Sequence, residues 1–131
     1  MSTNSGIAVR AGETFQTIYC HWDGHPKTML PILRENYNSF ALANKLISMG
    51  DASSINKKLE PTPGVEHTLM NPEDGVCVFY HRDRGERWEN NKPDCLLKSE
   101  VLNCYYTYIW EDGKWTAYKN GRVNHNVKNL Y

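Results

Sequence analysis

Cys104-Tyr-Tyr-Thr-Tyr-Ile-Trp110-Glu-Asp112-Gly113-Lys-Trp115-Thr-Ala-Tyr-Lys119-Asn120-Gly121 is the stretch whose reading decides the fold. Alternating runs are cut by Asp-Gly and Asn-Gly, dipeptides suited to the left-handed backbone of two-residue hairpin turns. Residues 104–110, 115–119 and 122–127 therefore predict a three-stranded antiparallel meander. Toward the N-terminus, residues 7–11 and 14–21 flank Gly12-Glu13 and read as a second hairpin.

Between the hairpins the period changes. Met29, Leu30, Leu33 and Tyr37 fall at helical spacing, with Pro31 expected in the helix's first turn, where its missing N–H costs nothing. A second helix is marked by Ser39 as its cap, an apolar face of Leu42, Ala43, Leu46 and Ile47, and Gly50 as the left-handed stop. Residues 51–64, with two prolines, read as a loop or a short helical turn, and residues 76–81 as a strand. Residues 82–88 form a charged loop, and residues 93–102 a short helix with Leu96, Leu97 and Val101 on one side. The expectation is one α+β domain over residues 1–131, a mostly antiparallel sheet of five to six strands with two main helices on one face. The other face is expected to carry many of the Tyr and Trp side chains, and a second copy would cover it, giving a homo-oligomer.

At 131 residues the chain supports one core rather than two. Lys and Arg total 15, as do Asp and Glu, so no global field gathers a long nucleic acid or an anionic membrane. Apolar runs fall far short of the roughly 20 residues of a membrane span. The four cysteines lack a framework spacing and the N-terminus lacks a signal pattern, so free thiols in a cytoplasmic chain are expected. Eight Tyr and four Trp against three Phe suit half-buried walls and interfaces.

Chemistry concentrates in Tyr19-Cys-His-Trp-Asp-Gly-His-Pro26, at the exit of a strand and the entrance of a helix. On a strand, Phe15, Thr17, Tyr19 and His21 face one side, and Gln16, Ile18, Cys20 and Trp22 the other. Cys20 and His21 therefore point apart, which weighs against a Cys-His-Asp nucleophile. His21, Asp23, His25 and His81 are available as metal ligands, but the spacing supplies no second pair of a zinc knuckle, and neither metal nor cofactor is expected. Arg82, Arg84 and Arg87 supply three guanidinium groups, with Trp22, Trp88 and nearby Tyr80 as rings on which a base could stack, a combination that suits a nucleotide.

Met1-Ser-Thr-Asn-Ser-Gly-Ile, Tyr19-Cys-His-Trp-Asp-Gly, Glu35-Asn-Tyr, Gly50-Asp51-Ala-Ser-Ser-Ile55 and Phe79-Tyr-His-Arg-Asp-Arg-Gly-Glu86 together resemble a family of small bacteriophage and prophage proteins of unassigned activity. The resemblance covers about the first two-thirds of the chain and implies a viral origin more than a chemistry. Where that family continues with Tyr-Pro and small glycine-rich residues, this chain has His25-Pro26-Lys27-Thr28-Met29.

The expectation is a phage-encoded binding protein in the host cytoplasm, acting against a host defence by sequestering a small nucleotide ligand or blocking a host defence protein. Its ligand-binding set is Tyr19, His21, Trp22, Asp23, His81, Arg82, Arg84, Arg87 and Trp88. One alternative is a small hydrolase or phosphodiesterase-like enzyme using His21, Asp23, His25 and His81. Another is a protein–protein inhibitor acting through the aromatic sheet face.

Overall fold

The computed structural model describes residues 3–124. The strands are β1 (Ser5–Ala11), β2 (Thr14–Cys20), β3 (Ala52–Ser54), β4 (Val78–Phe79), β5 (Asp94–Leu96), β6 (Tyr106–Glu111), β7 (Lys114–Lys119) and β8 (Arg122–Val123). The helices are α1 (Pro26–Asn36), α2 (Phe40–Ile47), α3 (Tyr80–Arg84) and α4 (Lys98–Val101), with a 3-10 turn at Trp88–Asn90. No helix among the described residues is long and apolar enough to cross a membrane.

Both hairpin readings correspond to paired strands. β1 and β2 pair from Ser5 opposite Cys20 to Ala11 opposite Thr14, and β6 and β7 from Tyr106 opposite Lys119 to Glu111 opposite Lys114. Asp112 and Gly113 have φ of 54° and 76°, Asn120 and Gly121 of 52° and 81°. Two successive positive φ values match the right-handed twist of the flanking strands. The meander closes with β8, and positions 125–127 of its expected last strand lie outside the described residues.

The α+β expectation holds at that level, but the sheet is larger than expected and mixed. Eight strands run in the order β4-β3-β2-β1-β6-β7-β8, with β5 also on β2. β1 pairs β6 in parallel through Gly6–Thr107 and Val9–Trp110, and β2 pairs β3 in parallel at Cys20–Ala52. The physical reason is that both parallel pairs join strands separated by helices, α1 and α2 between β2 and β3 and all four helices between β1 and β6, and parallel neighbours need such crossovers.

Helices α1 and α2 pack on one face, where Met29, Leu30, Leu33, Ala43, Leu46 and Ile47 meet Ile7, Val9, Ile18, Tyr108, Trp110 and Trp115. The meander's aromatic series is thereby the floor of the core, and the expected open aromatic face is not formed. Polar tips are satisfied on the helix side: Trp115 Nε1 donates to Tyr37 O at 2.9 Å and Tyr108 OH to Gly24 O at 2.6 Å. The opposite face buries Ala8, Phe15, Ile109 and Tyr118 under Val101 of α4. Lys98 pins that short helix, reaching Glu111 at 3.2 Å, and the Tyr118 hydroxyl donates to the same carboxylate.

Several local expectations change. α1 starts at Pro26, capped by His25 Nδ1 accepting from Lys27 N at 3.2 Å, so Pro31 lies inside the helix. The burial of Met29, Leu30 and Leu33 outweighs the cost of about 3 kcal/mol for an interior proline. Residues 51–64 contain β3. The strand expected over 76–81 turns helical at Tyr80, because the Asp83 carboxylate accepts from Phe79 N at 2.8 Å and Gly85, at φ 76°, stops the helix. The helix expected over 93–102 begins at Lys98 because β5 captures Asp94–Leu96 on the free edge of β2.

Candidate ligand-binding site

Three stretches distant in sequence become neighbours. Cys20 pairs with Ala52, and Ala52 with Phe79, so the exit of β2, the strand β3 and the β4–α3 junction lie side by side. Cys20, Ala52 and Phe79 are buried on the helix side. Alternation therefore sends Tyr19 and His21, Asp51 and Ser53, and Tyr80 to the opposite face.

There Tyr19 OH and His21 Nδ1 are 2.7 Å apart, and Trp22 meets His21 edge-on at 4.7 Å between centroids. Trp22 is 44% exposed, a considerable surface for an indole. The Tyr80 hydroxyl bonds to the Ser53 side chain. Burial raises the Tyr19 hydroxyl above the usual tyrosine range, and nearby Tyr80 raises it further. Both phenols therefore stay protonated donors at neutral pH.

A fork in the sheet lies next to this strip. The outer edge of β2 is shared by β5, opposite Phe15–Thr17, and β3, opposite Cys20, and Tyr19 N falls in the gap. Asp51 Oδ1 accepts from that N–H at 3.0 Å, standing in for a strand. Burial raises the Asp51 carboxyl, an effect opposed by the Tyr19 bond and increased by neighbouring Asp94. A cavity of about 160 Å³ opens here, with Thr17, Tyr19, Asp51, Asp94, Glu100 and Cys104 in its wall.

The arginine-rich stretch divides. Arg82 turns inward: Nε donates to Asp83 Oδ1 at 2.8 Å, Nη1 to Leu59 O at 2.7 Å, and Nη2 to Cys77 O at 2.9 Å and Asp83 Oδ2 at 3.1 Å. All three nitrogens are committed, so this side chain fastens α3 to the preceding loop instead of presenting a fork to phosphate. Arg84 Nε lies 3.5 Å from Glu86, and Arg87 is exposed. His81 and Trp88 form an edge contact at 5.2 Å, with His81 Nδ1 donating to Glu86 O at 2.8 Å. Trp88 in turn lies over Gly50, where a Cβ would stand 3.0 Å from its Cζ3.

Asp23 and Gly24 have a structural explanation. Asp23 takes a φ of 57° in an exposed turn, and Gly24 N donates to Thr3 O at 2.8 Å. A Cβ at Gly24 would stand 2.8 Å from Ser5 Cβ and from Thr3 O, so the chain passes there only as glycine. Cys20 is also packed away: its thiol donates to Trp22 O at 3.4 Å, and burial pushes it up to about 12. That suits a core thiol and not a nucleophile. His25 serves as the α1 cap with its ring against Tyr106, and no group of three or more metal-binding side chains is assembled among the described residues.

Of the sequence-derived set, then, Tyr19, His21 and Trp22 adjoin one another, His81 and Trp88 form a second pair, and Arg82 faces inward. Sequence reasoning named Tyr80 as a stacking ring and missed Asp51, Ser53 and Asp94. The signal was present in Gly50-Asp51-Ala-Ser-Ser-Ile55, but three strand residues between a glycine and a loop offer too short a period to read. No protein-family model, no curated protein and no solved structure matches this chain.

Proposed function

We propose that this protein is a phage-encoded, non-enzymatic binding protein that acts in the host cytoplasm and opposes a host defence by sequestering a nucleotide-type signal. The observation that carries the binding reading is the convergence of Tyr19, His21, Trp22, Ser53 and Tyr80 onto one strip beside a cavity. A half-exposed indole supplies a stacking surface, and protonated phenols, a serine hydroxyl and an imidazole supply hydrogen bonds of both senses to a ring edge or a ribose. The viral origin and the host setting rest on the resemblance of the sequence words to small phage proteins.

A hydrolytic reading finds less support. His21, His25 and His81 each use Nδ1 in a separate local contact, and burial holds the Cys20 thiol protonated.

Native mass spectrometry of the purified protein, alone and after incubation with lysate of phage-challenged cells, tests the proposal and reports the oligomer mass directly. An intact small molecule released on denaturation is the expected result. Conversion of added nucleotides to new products with nothing retained would replace it with the enzyme reading. Neither retention nor conversion would move the target to a host defence protein.

A further inference from the structure

We infer that the ligand enters the fork cavity by an amino-bearing, hydrogen-bond-donating ring edge, and that its phosphates, where it has any, stay outside. This rests on the binding reading above and names the part of the ligand that is recognised. The wall of the cavity contains three carboxyl groups, from Asp51, Asp94 and Glu100, and no lysine, arginine or histidine. Asp51 Oδ1 is occupied by Tyr19 N and Glu100 Oε1 by Leu97 N at 2.9 Å, so each keeps one oxygen for a guest, beside the Asp94 carboxylate. Acceptors facing a cavity call for donors on whatever fills it.

Of the three arginines that would hold phosphate, two are engaged elsewhere, and exposed Arg87 is not in the cavity wall. Arg82 makes four hydrogen bonds with Asp83, Leu59 O and Cys77 O, and Arg84 is paired with Glu86. A phosphate brought to the cavity would meet carboxylates with no guanidinium to offset them.

Size points the same way. At about 160 Å³ the cavity is well below the roughly 300–1,000 Å³ of sites that enclose a whole drug-sized ligand. It has room for one ring edge. Tyr19 belongs both to its wall and to the aromatic strip, so a ring with its donor edge in the cavity lies next to the Tyr19–His21–Trp22 cluster.

The test is isothermal titration of the full chain with adenosine, cytidine, guanosine and uridine and with their 5′-monophosphates, at low and moderate salt. The three amino-bearing nucleosides are expected to bind at least as tightly as their monophosphates, and more tightly than uridine, which has carbonyls in place of the amino group. Added salt should narrow the gap between nucleoside and monophosphate by screening the carboxylates. Asp94→Asn, an exposed position whose side chain holds no structural bond, should weaken nucleoside binding about ten-fold, the scale of one charge-assisted hydrogen bond, with an unchanged melting temperature. Monophosphates binding ten-fold or more tightly than nucleosides would overturn the inference and leave the binding reading standing. Absence of binding by all eight compounds, together with empty native mass spectra, would overturn both.

Discussion

The two halves of this sheet are built by different means. β1, β2, β6 and β7 are joined by long backbone ladders, seven register pairs between β1 and β2 and six between β6 and β7. β3 meets β2 at one residue and β4 at two. What the second region lacks in backbone pairing it makes up with side chains bonded to the main chain. Asp51 accepts from Tyr19 N, Asp83 from Phe79 N, and Glu73 from Thr62 N, while Arg82 donates to Leu59 O and Cys77 O. His67, whose side chain is buried, adds two more, Nδ1 accepting from Glu73 N at 2.9 Å and Nε2 donating to Cys77 O at 2.8 Å. A ladder distributes its stability over many weak pairs, whereas a lock concentrates it in one residue. The candidate site stands where the two constructions meet.

Asp83 is the lock with the most partners. Its carboxylate is buried and receives Phe79 N and the Arg82 guanidinium, with His67 Nε2 3.4 Å away. Asp83→Ala leaves Phe79 N without its acceptor and the Arg82 guanidinium without its buried counter-charge, and urea denaturation is expected to show a loss of about 3–5 kcal/mol. Lys98→Ala removes an ion pair whose lysine is half-exposed and whose buried Glu111 keeps the Tyr118 hydroxyl as a donor, so it should cost about 1 kcal/mol. Equal losses from the two variants would mean that the second region is not held by its locks.

This division also explains what the sequence revealed. The hairpin and the meander are periodic and punctuated by turn dipeptides whose φ values are sterically prescribed, so Asp112-Gly113 and Asn120-Gly121 announce themselves. Ser39 as the cap of α2 is local in the same way, accepting from Leu42 N at 3.1 Å. Nothing periodic marks a two-residue β4 or a three-residue β5, because what fixes them is an edge of β2 left open and a carboxylate four residues downstream. The inward turn of Arg82 was equally hidden, since its partners Leu59 O and Cys77 O are main-chain atoms and carry no residue signature. At the candidate site the residues on β2 could be named from alternation alone. Their neighbours Asp51, Ser53 and Tyr80 depended on pairings of one or two residues.

Glycines sharpen the contrast at intermediate cost. Gly12 in the first hairpin has φ 71°, and a Cβ there would meet nothing within 4 Å, while Gly50 has φ 85° and a Cβ would collide with Asn91 O and touch Trp88. Gly12→Ala is expected to cost only the left-handed strain, about 1 kcal/mol. Gly50→Ala adds displacement of the segment carrying Asn91 and Trp88, so about 2–3 kcal/mol is expected, together with a shifted Trp88 emission. Thermal melts followed by tryptophan fluorescence check both, and an unchanged emission in Gly50→Ala would show that Trp88 does not depend on this approach.

The residue that joins the two halves gives the smallest effect when its shape is kept and only its charge is removed. Asp51→Ala removes the acceptor for Tyr19 N from a partly buried gap and should cost about 1–3 kcal/mol at any pH where the protein folds. Asp51→Asn retains an oxygen for that N–H and removes a charge that burial and Asp94 make unfavourable. Because the folded-state pKa is raised, ionisation of Asp51 costs stability. The cost is absent below the unfolded-state carboxylate pKa, develops as pH rises through that value to the raised folded one, and is complete above it. Asp51→Asn should therefore equal the wild type in acid and match or slightly exceed it at neutral pH, by about 0.5 kcal/mol or less in a site still open to solvent. Urea midpoints across the acid-to-neutral range measure the difference. A variant less stable at neutral pH than in acid, relative to wild type, would show that the ionised carboxylate is itself a favourable partner of Tyr19 N, and that the fork is held by charge and not only by hydrogen-bond geometry.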